Sequence, residues 1–165
     1  MSKRFLLAIG ALGVVTAGAN ATVWAFNGVM DGLQEVPPNA SPGTGSFTGT
    51  IDDVTGAFTL TGTYTGLLAG VTASHIHGPA PVGANGPVIV ALTHTGGTSG
   101  TLTGGGTISL AQVADMMAGL HYVNVHTQAF PGGEIRGQIG VVPEPGTIVA
   151  LGLGAILLVR RRRKA

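Results

Sequence analysis

The chain contains no cysteine, and that absence alone removes several kinds of site. Without thiols there is no disulfide framework, no thiolate nucleophile and no cysteine-based zinc finger. Charged residues make up only 9% of the 165 positions, and aromatic residues only 5%. The 29 glycines show no three-residue period, which excludes a collagen-like helix. What remains is a chain with the length of one ordinary domain and an excess of glycine.

Positive charge is scarce in the middle of the chain, where Arg136 is the one lysine or arginine of residues 22–142. Six of the seven acidic residues also lie there, namely Asp31, Glu35, Asp52, Asp53, Asp115 and Glu134. This stretch therefore carries a net charge of −5, although the whole chain has a net charge of +1. An acidic stretch with one arginine does not suit a phosphate backbone, so we expect no nucleic-acid partner.

The first residues have the pattern of a secretory signal peptide. Lys3 and Arg4 precede an uncharged apolar run over residues 5–19, and the small residues Ala19 and Ala21 then supply a cleavage site. We predict cleavage after Ala21, and the alternative is an uncleaved membrane anchor. The apolar run is short for a span of about 20 residues, which favours cleavage.

The end of the chain is a tail in three parts. These parts are Pro143, Glu144 and Pro145, then the apolar run 147–159, and then the basic residues Arg160, Arg161, Arg162, Arg163 and Lys164. As a helix the apolar run would extend about 20 Å, which is short for a hydrocarbon core of about 30 Å. Snorkelling arginines can close that gap and keep the basic end on the cytoplasmic side. A plain tail anchor is the alternative to a sorting signal.

This tail resembles the PEP-CTERM sorting signal of Gram-negative bacteria. The resemblance implies export by the secretion machinery, transient anchoring in the membrane through a C-terminal transmembrane helix, and recognition by an exosortase-type protease. It also implies removal of the tail and release to the cell envelope, the cell surface or the extracellular matrix. We therefore divide the chain into a signal peptide (1–21), a β domain (22–142) and a sorting signal (143–165).

The middle of the chain predicts an all-β domain. Apolar and threonine residues alternate in two runs around the turn at 52–56, which predicts a hairpin with one apolar face. Strands are predicted at residues 23–29, 46–51, 58–65, 71–77, 87–94, 100–108, 121–127 and 134–141. One helix is predicted over 110–118, capped by Ser109, with an apolar stripe of Leu110, Val113 and Met117. About eight short antiparallel strands with one short helix indicate a Greek-key sandwich or barrel.

Histidines supply the candidate site of this domain. His75 and His77 stand two residues apart in a predicted strand, so their side chains leave the same face. His126 lies in another strand, and Glu134 follows the turn after it. Neutral imidazoles with a carboxylate suit copper or zinc, so we predict a metal site of His75, His77, His126 and Glu134.

A purely structural role is the alternative for these residues. They would then be hydrogen-bonded groups on a polar sheet face, with Arg136 paired to Glu134 or Glu35. By alternation His121 leaves the opposite face from His126, so we leave it out of the site.

The middle of the chain also resembles the CHRD domain, known from chordin and from many bacterial secreted proteins. The motifs that carry the resemblance are Leu33-Gln34-Glu35-Val36-Pro37-Pro38, His75-Ile76-His77-Gly78-Pro79-Ala80, Asn85-Gly86-Pro87, Tyr122-Val123-Asn124-Val125-His126-Thr127 and Pro131-Gly132-Gly133-Glu134-Ile135-Arg136-Gly137-Gln138-Ile139. The resemblance implies an all-β extracellular module. Only one copy is present, without cysteine-rich partner domains, so the signalling role of chordin does not carry over.

A weaker similarity concerns the histidines alone. A pair of strand histidines two residues apart, with a distant third, is similar to the copper half of copper–zinc superoxide dismutase, although the cysteine pair and zinc loop of that enzyme are absent. Two functions follow as expectations. The first is a non-enzymatic exported CHRD module that binds a matrix polysaccharide or protein, and the second is a copper or zinc protein with a binding or redox role.

Overall fold

A computed structural model describes residues 21–142. The predicted signal helix and C-terminal transmembrane helix lie outside these residues. The elements in chain order are β1 (Val23–Asp31), β2 (Thr44–Asp52), β3 (Ala57–Thr65), β4 (Val71–His77), β5 (Val88–Ala91), β6 (Thr93–His94), β7 (Gly100–Thr107), α1 (Leu110–Met117), β8 (Tyr122–Thr127), β9 (Ile135–Gln138) and β10 (Gly140–Val142). Within this part of the chain no helix is long and apolar enough to cross a membrane.

The strands form one antiparallel sheet in the order β5-β4-β8-β9-β1-β2-β3-β7-β6, with β10 paired to β1. The strands at the two ends of this order, β5 and β6, follow one another in the chain. On their other sides, β5 pairs with β4 and β6 pairs with β7. Between them the backbone N–H of Leu92 donates to the carbonyl of Ser74 at 2.8 Å. The sheet is therefore a nearly closed barrel, which confirms the predicted all-β fold.

Alternation along the strands determines which side chains fill the barrel. Phe26, Phe47, Leu60 and Val125 belong to one continuous apolar core. Gly49 lies opposite Leu60 in the sheet, and a Cβ at this position would overlap the ring of Phe26. The glycine content of the strands thus makes room for aromatic rings inside a narrow barrel.

The helix α1 begins at the predicted cap. The Ser109 hydroxyl accepts from the Gln112 backbone N–H, and the Gln112 side chain in turn accepts from the Ser109 N–H, which forms a capping box. The predicted apolar stripe is correct for Val113, which is buried, and for Met117, which packs against the core, but Leu110 is exposed and Met116 is buried in its stead. Met116 and Met117 follow Val113 by three and four residues, and both spacings keep a residue on the same helix face. The sequence pattern therefore did not distinguish Met116 from Met117.

The strands β4, β8 and β9 carry polar and aromatic side chains on the face that points away from the core. Ile76, Val123 and Ile135 point into the apolar core. The neighbouring residues in each strand therefore point outward, where loops cover them. Tyr122 and Arg136 are examples, because both lie on this outer face and are nonetheless buried.

Candidate metal centre

The three strand histidines meet on the outer face of the barrel. His75 and His77 alternate along β4, and His126 lies on the adjacent strand β8, where Ala73 is its cross-strand partner. The ring centroids of His75 and His126 are 5.1 Å apart, those of His75 and His77 are 5.4 Å apart, and those of His77 and His126 are 5.7 Å apart. The three rings thus form a compact triangle.

The imidazole nitrogens of this triangle are close enough to share one metal ion. One nitrogen from each of the three rings lies within 4.8 Å of the other two. Nitrogens bound to one zinc ion at 2.0–2.1 Å lie at most about 4.2 Å apart. Small rotations of the rings therefore suffice to bring all three nitrogens onto one ion.

Hydrogen bonds from the loops fix the orientation of two of the rings. Nδ1 of His77 lies 3.0 Å from the carbonyl of Gly86, and Nδ1 of His126 lies 3.0 Å from the carbonyl of Pro131. A carbonyl oxygen only accepts, so each Nδ1 carries the proton and each Nε2 keeps a free lone pair. Metal-binding histidines typically have this arrangement, in which a carbonyl holds the ring nitrogen that does not bind the ion.

One nitrogen of each of the three rings has no hydrogen-bond partner within residues 21–142. Nε2 of His77, Nε2 of His126 and Nδ1 of His75 are all buried and accept or donate no hydrogen bond. Burial lowers the pKa of each of the three imidazoles, and the neighbouring histidines lower the pKa of His75 and His77 further. The rings are therefore neutral at neutral pH, which is the form that binds a metal ion.

The structure does not bring Glu134 to this triangle. One carboxylate oxygen accepts from the Ser41 hydroxyl and from the Leu68 backbone N–H, each at 2.6 Å, and the other accepts from the Thr127 hydroxyl at 2.6 Å. The strand β9 begins at Ile135, one residue later than predicted. Gly133, the residue that precedes Glu134, has a φ of 136°. Glu134 therefore does not follow the alternation that places Arg136 on the outer face, and it ties two loops to β8 instead.

The remaining histidines lie outside the triangle. Nδ1 of His94 is 3.1 Å from the hydroxyl of Ser74. His121 is fully buried, both of its nitrogens lack a partner, and its ring packs where a side chain at Gly78 would stand. The prediction that left His121 out agrees with this placement.

A stack of three side chains continues from the triangle. The ring of Tyr122 lies parallel to that of His77, with centroids 5.0 Å apart, and the guanidinium carbon of Arg136 lies 3.5 Å from the centre of the Tyr122 ring. The guanidinium of Arg136 donates to the carbonyl of Ala84 at 2.8 Å and to the Gln138 side chain at 3.2 Å, rather than to a carboxylate. The loop that orients His77 is thus held by a buried cation that stacks on an aromatic ring.

Glu35 is a buried carboxyl that the sequence pattern did not place near the site. It follows the short 3-10 turn Gly32–Gln34, and the Asn124 side chain donates to one of its oxygens at 3.5 Å. The other oxygen, Oε1, is buried without a partner. Burial raises the pKa of Glu35 to about 7, although the positive charge of Arg136 acts in the opposite direction. A loop residue has no alternation to reveal its direction, so only the motif that contains it drew attention to it.

Comparison with known families supports both resemblances. The model of the CHRD domain matches residues 26–139, and the model of the PEP-CTERM protein-sorting motif matches residues 141–164. No curated protein and no solved structure matches the chain. The predicted sorting residues Pro143, Glu144, Pro145, Arg160, Arg161, Arg162 and Arg163 all fall within the second match, outside the residues that the structure describes. A PEP-CTERM motif implies export in a Gram-negative bacterium, anchoring in the membrane before processing, and sorting by an exosortase.

Proposed function

We propose that the β domain of this chain, which belongs to the CHRD domain family, is an exported metal-binding module that holds one ion on His75, His77 and His126. The ion is copper or zinc, and copper(II) is favoured. The proposed mature form spans residues 22–142, after cleavage behind Ala21 and removal of the tail. It resides at the cell surface or in the extracellular matrix.

The observation that carries the proposal is the convergence of three unpaired nitrogens. Leaving one buried polar group without a hydrogen bond costs about 1–3 kcal/mol, so three at one point form an expensive arrangement in the empty state. An ion bound by all three nitrogens removes this cost at once. A structural role explains the carbonyl bonds to Nδ1 of His77 and His126, but it does not explain why one buried nitrogen of each of the three rings lacks a partner within residues 21–142.

The choice of metal follows from the ligand types. Imidazole nitrogens suit zinc, copper, iron and nickel, whereas magnesium and calcium prefer oxygen ligands. The carboxylate of Glu134 is occupied by three donors, so the proposed ligand set is imidazole only. Among divalent ions the affinity for such sites is highest for copper(II), with zinc below it. The net charge of −5 in residues 22–142 favours the approach of a cation.

Metal analysis of the full-length chain, purified in a mild detergent, tests the proposal. After equilibration with copper(II) and removal of free metal, we expect one equivalent of copper per chain. A variant with His75→Ala and His77→Ala is expected to retain less than a tenth of that amount. His121→Gln is the matched control, since it removes a buried imidazole outside the triangle, and it is expected to retain the full amount. Substoichiometric copper and zinc in the unchanged chain would refute the proposal.

A further inference from the structure

A cleft of about 480 Å3 lies beside the metal centre, between the loop of residues 35–39 and the loop of residues 129–133. Its walls include the apolar side chains Pro37, Pro38, Phe130 and Pro131. Glu35 also lines it. A mostly apolar cleft with one ionisable group has the character of a small-molecule site.

Most polar side chains of this cleft are already engaged within the protein. The Asn39 amide donates to the carbonyl of Glu134 at 3.1 Å, and the Asn85 amide donates to the carbonyl of Val36 at 3.0 Å. Among the residues that line the cleft, in the part of the chain that the structure describes, Glu35 alone has a buried side-chain oxygen, Oε1, that lacks a hydrogen-bond partner. The cleft therefore offers an incoming ligand one strong buried acceptor.

The residues that pack around Oε1 of Glu35 do not donate a hydrogen bond to it. Glu35 is only 4% exposed, and Gly133 lies directly against Oε1, because a Cβ at Gly133 would stand 2.6 Å from that oxygen. Gly133 has a φ of 136°, a conformation that other residues rarely adopt. The guanidinium of Arg136 points to Ala84, Asn85 and Gln138 rather than to Glu35. Burial raises the pKa of Glu35 and the positive charge of Arg136 lowers it, but the Arg136 guanidinium donates its hydrogen bonds elsewhere, and Oε1 keeps its capacity to accept.

We infer that this cleft binds a small organic ammonium ion, whose charged nitrogen pairs with Glu35 and whose apolar body packs against Phe130 and the prolines. One unpaired carboxylate oxygen among apolar walls matches a ligand with one cationic donor and an apolar remainder. A sugar would leave several hydroxyls without partners in these walls, and an anion would be repelled by the carboxylate. Burial raises the pKa of Glu35, and an ammonium ion bound beside the carboxyl would lower that pKa.

The cleft shares its walls with the metal centre but does not need the metal. Pro131, which lines the cleft, supplies the carbonyl that orients His126, and Asn85, which also lines it, precedes the Gly86 that orients His77. A ligand in the cleft would therefore contact the loops whose carbonyl groups orient His77 and His126. Its binding is measured without metal, so that its failure and the failure of the metal proposal are separate results.

The test uses benzylammonium as the probe and the full-length chain at pH 8, with a chelator present. Titration followed by the amide NMR signals of Ala129, Phe130, Gly132 and Gly133 is expected to show saturable binding. Benzyl alcohol, which has the same ring without the charge, is expected to bind at least tenfold more weakly. Equal binding of the two probes, or no binding of benzylammonium, would overturn the inference, and this comparison needs no variant.

Glu35→Gln is the corresponding variant, because it removes the charge and keeps the shape. Its affinity for benzylammonium is expected to fall at least tenfold. Asp115→Asn is the matched control, since it removes one negative charge on α1, and its affinity is expected to stay within twofold. A loss of affinity of the same size in both variants would show a general effect of charge and would contradict a site at Glu35.

Discussion

The two sides of the barrel have outer faces of opposite character. On β2 and β3 most of the outward residues are threonines, which are exposed to solvent. They face one another across the strands, and the hydroxyls of Thr50 and Thr59 are 2.9 Å apart. On β8, Tyr122 and Asn124 also point outward, yet they are buried under loops. The side formed by β2 and β3, the threonine side, has an apolar inner face and an outer face exposed to solvent. The side that includes β8, the covered side, has a layer of buried polar side chains between the sheet and the loops.

The difference shows where each side derives its stability. An exposed threonine gives up little water, so its contribution is small. A buried polar group requires a partner, so changes around such groups have large effects on stability. All of the unpaired buried side-chain atoms of residues 21–142 belong to Glu35, Asn124 and the histidines 75, 77, 121 and 126. The covered side is therefore where substitutions and ligands are expected to have large effects.

Glu134→Ala is expected to have the largest effect. It leaves the Ser41 hydroxyl, the Leu68 N–H and the Thr127 hydroxyl without their buried acceptor. We expect a loss of roughly 3–5 kcal/mol in the free energy of unfolding, measured in urea. A loss below about 1 kcal/mol would mean that the covered side is as tolerant as the threonine side.

Copper(II) is expected to stabilise the covered side of the unchanged chain. At a free concentration one hundred times the dissociation constant, one bound ion adds about 2.7 kcal/mol to the free energy of unfolding. Thermal unfolding with and without copper measures this gain. The His126→Ala variant serves as the comparison, and an equal gain in that variant would place the copper elsewhere.

Glu35→Gln is expected to raise stability above neutral pH. The pKa of Glu35 rises from 4.5 to about 7 in the folded chain, so the folded state holds its proton where the unfolded state has lost it. Stability then falls as the pH rises from 4.5 through 7. We expect the variant to gain about 3 kcal/mol at pH 8 and nothing at pH 4. Urea unfolding at the two pH values measures both, and an equal change at each would contradict a buried ionising carboxyl.

Thr61→Ala is expected to have the smallest effect. Thr61 is exposed on β3, opposite Thr48 and Thr103 in the sheet. The free energy of unfolding is expected to change by less than about 0.5 kcal/mol. The copper content is expected to stay the same, and a large change in either quantity would remove the distinction between the two sides.

The sequence predicted the threonine side better than the covered side, for a physical reason. Alternation in β2 and β3 has a regular register, so Phe47 and Ile51 were correctly expected on the apolar face. Alternation also placed His75 and His77 on one face of β4. It failed for Glu134, because the strand starts after that residue. It gave no direction for Glu35, whose position depends on the path of a loop and on packing against Asn124 and Gly133.

X-ray absorption at the copper edge, on the copper-loaded full-length chain, tests the proposed centre most directly. We predict imidazole nitrogens from three histidines at a distance of about 2.0 Å from the ion. In the variant with His75→Ala and His77→Ala, the height of the copper absorption edge is expected to fall to less than a tenth of that of the unchanged chain. A copper environment of oxygen ligands in the unchanged chain, or a spectrum that both chains share, would contradict the metal centre described above.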